Sequence, residues 1–443
     1  MAKVPERFPC RAVPFMSSAP TVSPPVAPRH VTIIGAGIVG MSAALYLQRD
    51  GHRVTVIDPK PPGTGTSLGN AGVIATGGVT PTAMPGLWKK VPKMLLDPAG
   101  PFAIRWRYLP HIAPWLIRFL QAGDAARVRQ ISRELLPLVS RALIAHEELV
   151  KLAGAEDIIR RVGWLKLYGS EGSFNGTAFD RELMTGCGVK FDVLDGDEVR
   201  QLEPHLQKRF ARGIFQPDAG FVSLPHKLIA AYAEHFRRNG GTILQETVRR
   251  LEIGPAGPEK VVTDLAIHPV DRLVIAAGAW SKALAAEAGA PVPLDTERGY
   301  HLNLKLPDGT PSVGRPTLIA DQSYVLAPMQ EGLRLTSGVE LAGLDAPPDF
   351  RRIRRMLDLA KDVLPAIGQA EVTREWLGYR PSTPDSKPVV GRSPRYANTV
   401  LAFGHGHMGL SLGPLTGRVV ADLVAGRGSE FDLAPYRADR SFR

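Results

Sequence analysis

The stretch HVTIIGAGIVGMSAALYLQRDGHRVTVID, residues 30–58, decides the fold. Val31–Ile34 is a short β-branched run of the kind buried as a parallel strand. Gly35, Gly37 and Gly40 follow in G-x-G-x-x-G spacing. Ile38, Met41, Leu45 and Leu47 then recur roughly at helical spacing, and Gly51 can end that helix in a left-handed conformation. Arg53–Ile57 reads as a second strand closing on Asp58. Strand, glycine turn, helix, strand and acid stand in the order of a dinucleotide-binding unit.

Each position has a physical task. Gly35 makes the tight turn out of the strand. Gly37 lets backbone amides approach a pyrophosphate, and Gly40 lets helix and strand pack closely. The helix N-terminus presents about +0.5 charge to the phosphates. Ala36, Ile38 and Val39 lie along the same turn and complete the cofactor-binding candidates there. Asp58 stands where a carboxylate accepts hydrogen bonds from a ribose diol, and its charge would repel a 2′-phosphate, which argues against NADP.

Other segments extend this unit. GTGTSLGNAGVI (63–74) is a Gly, Ser and Asn cluster of the loop-forming kind, and Ser67, Asn70, Ala71 and Gly72 are its cofactor candidates. DRLVIAAGAWS (271–281) is a buried strand running into a small-residue turn, which makes Ala277, Gly278 and Trp280 candidates; Val248, upstream of it, is another. LAFGHGHMGLSLGPLTGRVVADLVAG (401–426) is a strand, a glycine turn and a helix with Leu412, Leu415, Val419 and Leu423 on its buried face. Gly404, Gly406, His407, Met408, Gly409 and Leu410 are candidates at that turn. A cofactor gripped by three distant segments is a resident one.

Between these segments, GWLKLYG (163–169), VPLDTERGYHLNLK (292–305), QSYVLAPM (322–329) and GLRLTSGVE (332–340) read as strands of a separate, largely antiparallel sheet. HKLIAAYAEHFRRNGG (226–241) and PPDFRRIRRMLDLAKDVLP (347–365) read as helices, and WLGYRPSTPDSKPVVGRS (376–393) as a turn-rich segment. The expected fold is α/β: a discontinuous Rossmann-type domain (29–80, 195–285, 375–443) with an α+β substrate domain (81–194, 286–374).

At 443 residues the chain exceeds one ordinary core, so two domains are the default. Only two cysteines, Cys10 and Cys187, exclude a disulfide framework and a thiolate cluster, and fit a reducing, cytoplasmic compartment. No metal site is expected. Net charge is +11, yet no segment gathers Lys and Arg densely enough for a nucleic-acid face. Residues 1–28 hold seven prolines and read as a disordered tail, or as an upstream start with Met16 the initiator. No apolar run is long enough for a transmembrane helix. LWKKVPKMLLDPAGPFAIRWRYLPHIAPWLIRFLQ (87–121) mixes Trp, Leu and Ile with Lys and Arg. It has the composition of a peripheral contact with the inner membrane, and equally of a helical part of the substrate domain that packs inward.

VIAAGAWS (274–281), GYRPSTPDSKPVVG (378–391) and GHGHMGLSLGPLTGRVVADL (404–423), behind the N-terminal dinucleotide unit and with NAG at 70–72, resemble the FAD-dependent D-amino-acid dehydrogenases of the D-amino-acid oxidase superfamily. The resemblance runs over roughly residues 29–428. It implies tightly bound FAD and oxidation of a D-amino or D-imino acid by hydride transfer from Cα to the flavin. It also implies an electron acceptor such as a quinone or an electron-transfer partner. It places Arg380, in the G-x-R-P turn, on the substrate carboxylate, as the always-charged bidentate guanidinium suits. Tyr324 and Tyr300 are the pocket-lining candidates. His405 joins the catalytic candidates, with neither it nor His407 assigned as a base. His407 stands where the family carries a smaller residue and Arg298 where it carries lysine, as in paralogues acting on D-hydroxyproline. No cysteine follows Cys187, which excludes covalent attachment through a C-terminal thiol. The competing readings are a glycine or sarcosine oxidase-like enzyme using oxygen, a non-catalytic flavin-binding subunit of a larger complex, and an NAD-dependent dehydrogenase.

Overall fold

The computed structural model describes residues 27–88, 102–207 and 209–442. The expected tail therefore lies, up to residue 26, outside the described residues, as does 89–101 of the basic aromatic stretch.

The opening stretch folds as its pattern dictates. Strand β1 (His30–Ile34) runs into helix α1 (Ile38–Arg49) and then strand β2 (Arg53–Ile57). β1 pairs in parallel with β2 on one side and with Arg272–Ile275 on the other. Thr242–Leu244 and Thr399–Phe403 extend the parallel sheet, and Val389–Arg392 closes it antiparallel. β-Branched residues fill both faces of β1, as a doubly covered strand requires. Val31 and Ile33 join the core under α1, while Ile34 packs with Leu273 and Phe403 on the other face.

The second layer is a mixed sheet ordered Glu371–Ser382, Asp295–Lys305, Gly332–Leu341, Tyr324–Met329, Thr317–Ile319, Trp164–Tyr168, Arg212–Gln216 and Asp192–Asp195. Three of these carry the site: β3 (Asp295–Lys305), β4 (Gly332–Leu341) and β5 (Glu371–Ser382). Helix α2 (Arg351–Lys361) covers one face, putting Ile353 and Met356 against Tyr300, Leu302 and Leu304 of β3. Helix α3 (Gly409–Ala425) returns to the parallel sheet beside α1.

Two sequence expectations are corrected. The strand Arg212–Gln216 and residues 375–382 of the strand Glu371–Ser382, assigned above to the nucleotide domain, belong by pairing to the mixed sheet. The segment at 376–393, expected to be turn-rich, starts as the second half of β5. β5 is the edge strand, where the missing amide of Pro381 costs least.

The described part of the basic aromatic stretch divides its faces. In the helix Leu109–Ala122, Ile112 and Trp115 are buried, while Trp106, just before it, and Ile117 and Leu120 are exposed. Among the described residues no helix is long and apolar enough to cross a membrane.

Candidate active site

The glycine turn is held by contacts that tolerate nothing larger. Gly35 has φ +112°, and a Cβ there would meet the Ala276 carbonyl oxygen at 2.3 Å. A Cβ on Gly40 would stand 1.9 Å from the Gly35 oxygen. Gly37 is different: a Cβ would meet only Ser67 Oγ, at 3.6 Å, so the space before it is open. The Ala36 amide donates to Asp58 Oδ2 at 2.7 Å, and the Lys60 amide donates to Oδ1 at 2.8 Å. Burial raises the Asp58 carboxyl above its ordinary value against the pull of these amides. Each oxygen keeps a further lone pair for a diol.

The loop after β2 is locked from below. The Ile38 amide donates to Ser67 Oγ (3.3 Å), and Asn70 Oδ1 accepts from the Gly72 amide (2.8 Å). Arg334 of β4 donates to the carbonyls of Leu68 and Asn70 at 2.9 and 2.7 Å. Burial lowers this guanidinium to about 10. Ala71 packs with Phe221, Ala327 and Met329. Trp376, missed in the sequence, fits against Gly69 and Gly378, where a Cβ would collide with its ring at 1.9 and 2.0 Å. It stacks on His301 at 4.9 Å. Its only sequence signal was an aromatic two residues before a glycine in a segment read as turn.

Two helix N-termini face the same edge. A Cβ on Gly413 would meet Ile38, and one on Gly417 would meet Ser42 and Ala43, so α1 and α3 contact in parallel register through small residues. Neither has an acid in its first turn nor a capping hydrogen bond from its N-cap side chain, which leaves both positive ends available to anionic groups.

The other cofactor candidates lie on several elements. Ala277 and Val248 pack at the rim of the core on the face away from α1. Gly278 has φ +56° with nothing within 4 Å of a Cβ position. Trp280, half exposed, meets Tyr379 edge-to-face. Gly404 and Gly406 both have positive φ, and among the described residues a Cβ on Gly406 would meet Ser382 Oγ at 3.6 Å. Met408 caps α3, Gly409 and Leu410 begin it, and the Leu410 carbonyl is hydrogen-bonded with His146. Among the described residues, open space at Gly37, Gly278 and Gly406, amide-rich helix ends and the buried Asp58 carboxylate fit a dinucleotide such as FAD.

Facing this edge, β3 and β5 present their polar side chains by strand parity. Glu297 lies opposite Arg380, Gly299 opposite Gly378 and His301 opposite Trp376, so these six share one face. Arg380 lies over Gly299, where a Cβ would sit 2.3 Å from the guanidinium. It donates one hydrogen bond, to the Gly338 carbonyl at 3.0 Å, and pairs with no carboxylate. Glu297 is taken instead by His407, whose Nε2 donates to Oε2 at 2.6 Å. Burial would raise the Glu297 carboxyl, but His407 and Arg380 outweigh it and hold it below the ordinary value.

Three catalytic candidates stand elsewhere. Tyr300 is one residue out of phase with Gly299 and points to the opposite face. There it donates to Glu340 Oε2 at 2.5 Å, and burial raises its phenol to about 12. Tyr324 is fully buried in the same apolar cluster with its hydroxyl unpartnered. Neither lines a space with Arg380, because alternate residues of a strand face opposite ways. His405 is also corrected: it is buried and hydrogen-bonded with Thr416 Oγ1 at 3.0 Å, and burial holds it neutral by lowering it to about 4. It fastens the glycine turn to α3. Arg298 shares the face of Tyr300, fully buried, with its Nε 3.4 Å from Glu340.

Comparisons with known proteins bear on the family and the fold. A family model described as FAD dependent oxidoreductase matches residues 30–423. A D-amino-acid oxidase of Bradyrhizobium diazoefficiens is 40% identical over 93% of this chain and 99% of its own length. A D-amino acid dehydrogenase of the same bacterium is 31% identical over 93% of this chain and 98% of its own. Among solved structures, glycine oxidase from Geobacillus kaustophilus superposes with a TM-score of 0.74 at 24% identity, covering 93% of this chain and 99% of that one. Iminodiacetate oxidase from Chelativorans gives 0.70 at 22% identity, covering 92% and 98%. These two establish the likeness of fold.

Proposed function

The chain belongs to the family of FAD dependent oxidoreductases, and from that membership we propose that it oxidises D-amino acids, or D-imino acids such as D-hydroxyproline, to the imino product. The observation that carries the reading is Arg380. Among the described residues it is a partly buried guanidinium with one backbone hydrogen bond and no ion pair, on the strand whose Tyr379 carbonyl accepts from Thr66 and whose Ser382 bridges His405. Such a group keeps donors for a second, anionic partner, and a substrate carboxylate matches its fork.

Bound FAD supplies the hydride acceptor. The chain's own residues do the rest. Gly35, Gly37 and the α1 N-terminus hold the pyrophosphate, Asp58 the ribose, and the α3 N-terminus the flavin end. The loop 66–72, pinned by Arg334, and Trp376 wall the site. Arg380 would hold the substrate carboxylate and so fix the orientation of its Cα, and such alignment contributes several kcal/mol.

We assign electron transfer to a quinone or other acceptor. The exposed Trp106, Ile117 and Leu120 beside Arg107 and Arg118 support contact with an anionic membrane surface. The second reading is an oxidase that uses oxygen, favoured by the 40% identical relative that bears that name. One experiment tests both. The purified yellow protein is given D-amino acids, D-hydroxyproline, glycine and sarcosine, and dye reduction and peroxide are followed in parallel. Dye reduction by D-amino acids without peroxide supports the dehydrogenase. Stoichiometric peroxide supports the oxidase, and turnover of glycine or sarcosine alone overturns the D-amino-acid assignment.

A further inference from the structure

We propose that Glu297, held by His407, receives the α-ammonium group of the substrate bound on Arg380 and takes up its proton before oxidation; this rests on the substrate class proposed above.

The argument begins with strand register. Glu297 and Arg380 are direct cross-strand partners in an antiparallel pair, which sets their Cβ atoms about 5 Å apart on one face. Opposite charges so placed ordinarily close into an ion pair. Here they do not: Arg380 turns over Gly299 to the Gly338 carbonyl, and Glu297 turns to His407. An anion-binding group and a cation-binding group are thus left side by side without neutralising each other. An α-amino acid carries the matching pair, with its carboxylate and ammonium two bonds apart across Cα.

The chemistry needs such a group. An amino acid at neutral pH is an ammonium, and a cation does not release hydride from Cα. The N–H bond must break first, with its electron pair staying on nitrogen and the proton going to a base. Three features suit the Glu297–His407 pair to this. Glu297 is buried, with a side chain 6% exposed, so burial disfavours the charged forms of both the carboxylate and an ammonium beside it, and favours the proton transfer that leaves both neutral. The Arg380 charge helps to hold Glu297 ionised in the free protein. A substrate carboxylate arriving on Arg380 cancels that charge, and burial then raises the proton affinity of Glu297 at the moment the ammonium is presented. Last, the His407 side chain is 45% exposed, which gives the proton an exit to water.

Other charges nearby are already engaged. Asp295, two residues back on the same face, accepts from Tyr108 at 2.9 Å and lies 4.0 Å from Lys282. Glu340 belongs with Tyr300 and Arg105. His405 is buried against Thr416. Ser382, on β5 beside Arg380, is uncharged.

The test is a pH series on Glu297→Gln, which keeps shape and removes the base. In the wild type kcat/KM stays flat between pH 7 and 9. The variant must draw on substrate already neutral in solution. Its kcat/KM falls on the order of 10²-fold at pH 7 and climbs about tenfold per pH unit, converging on the wild type at high pH. Binding of propionate, a carboxylate with no amine, read from the flavin absorbance shift, stays unchanged. His407→Gln shows the same slope with a smaller loss at pH 7 and serves if Glu297→Gln fails to fold. A loss equal at every pH, or propionate binding lost together with turnover, overturns the assignment and leaves a structural pair. A wild type inactive on all D-amino acids overturns the proposed function instead.

Discussion

The proposed nucleotide half and the proposed substrate half of this site are built on opposite plans. The first is local: Gly35, Gly37, Gly40 and Asp58 lie within one β1–α1–β2 unit, and the turn and acid are joined by the hydrogen bond from the Ala36 amide to Asp58. The second is assembled across the chain: Glu297 comes from β3, Arg380 from β5 and His407 from the turn before α3. In the first half, function depends on backbone packed too tightly for a side chain. In the second it depends on which face of a strand a side chain takes, and that is set by pairing with a partner far away in sequence.

If that contrast is right, a single methyl group does most damage in the local half. Gly40→Ala places a Cβ 1.9 Å from a backbone oxygen inside a parallel sheet–helix junction that has no flexible side chain to yield. Overpacking of this kind costs about 1–3 kcal/mol or more. The expected outcome is protein recovered mainly without flavin, with a lowered Tm, measured by the absorbance ratio at 450 and 280 nm and by thermal melting. A holoenzyme of normal Tm would show that the junction is looser than the contact distances imply.

Arg380→Ala asks the converse in the assembled half. Two charge-assisted hydrogen bonds to a carboxylate are lost, each worth about 1.5–3 kcal/mol, so kcat/KM falls about 10²- to 10⁴-fold, mostly through KM. The flavin spectrum and Tm stay near wild type, because the guanidinium makes only one internal hydrogen bond. A variant with near wild-type kcat/KM would remove Arg380 from the substrate. Asp58→Ala returns to the local half with a smaller effect. Losing the ribose hydrogen bonds to a charged group weakens FAD binding about 10- to 100-fold, measured by flavin retention on dialysis. Full retention would leave Asp58 as a brace for the Ala36 amide alone.

The same contrast explains what could be read in advance. The strand–turn–helix–strand unit was legible because its period, glycines and acid are contiguous and each has one physical use. Arg380 was legible through the resemblance of its surrounding segment to a family. The face of β3 was not. Glu297, Arg298, Gly299 and Tyr300 are consecutive, and a one-residue change of phase sends every one of them to the other side of the sheet. The register that settles it comes from β5, some 80 residues on. The two histidines divide in the same way: His405 turns inward to Thr416 and His407 outward to Glu297, within a glycine turn that has no periodicity to read.

Tyr324→Phe is the mildest change and the most direct test of parity. A pocket-lining tyrosine would hold substrate or shape its entry, and losing the hydroxyl would raise KM. On the face where β3 and α2 pack together, that hydroxyl is buried without a partner among the described residues, and burial pushes its pKa well up. A buried donor that makes no hydrogen bond costs about 1–3 kcal/mol of desolvation. Removing it leaves KM and kcat unchanged and holds or raises Tm by a few degrees. A several-fold rise in KM with an unchanged melt would put Tyr324 on the substrate side and break the alternation on which the assembled half depends.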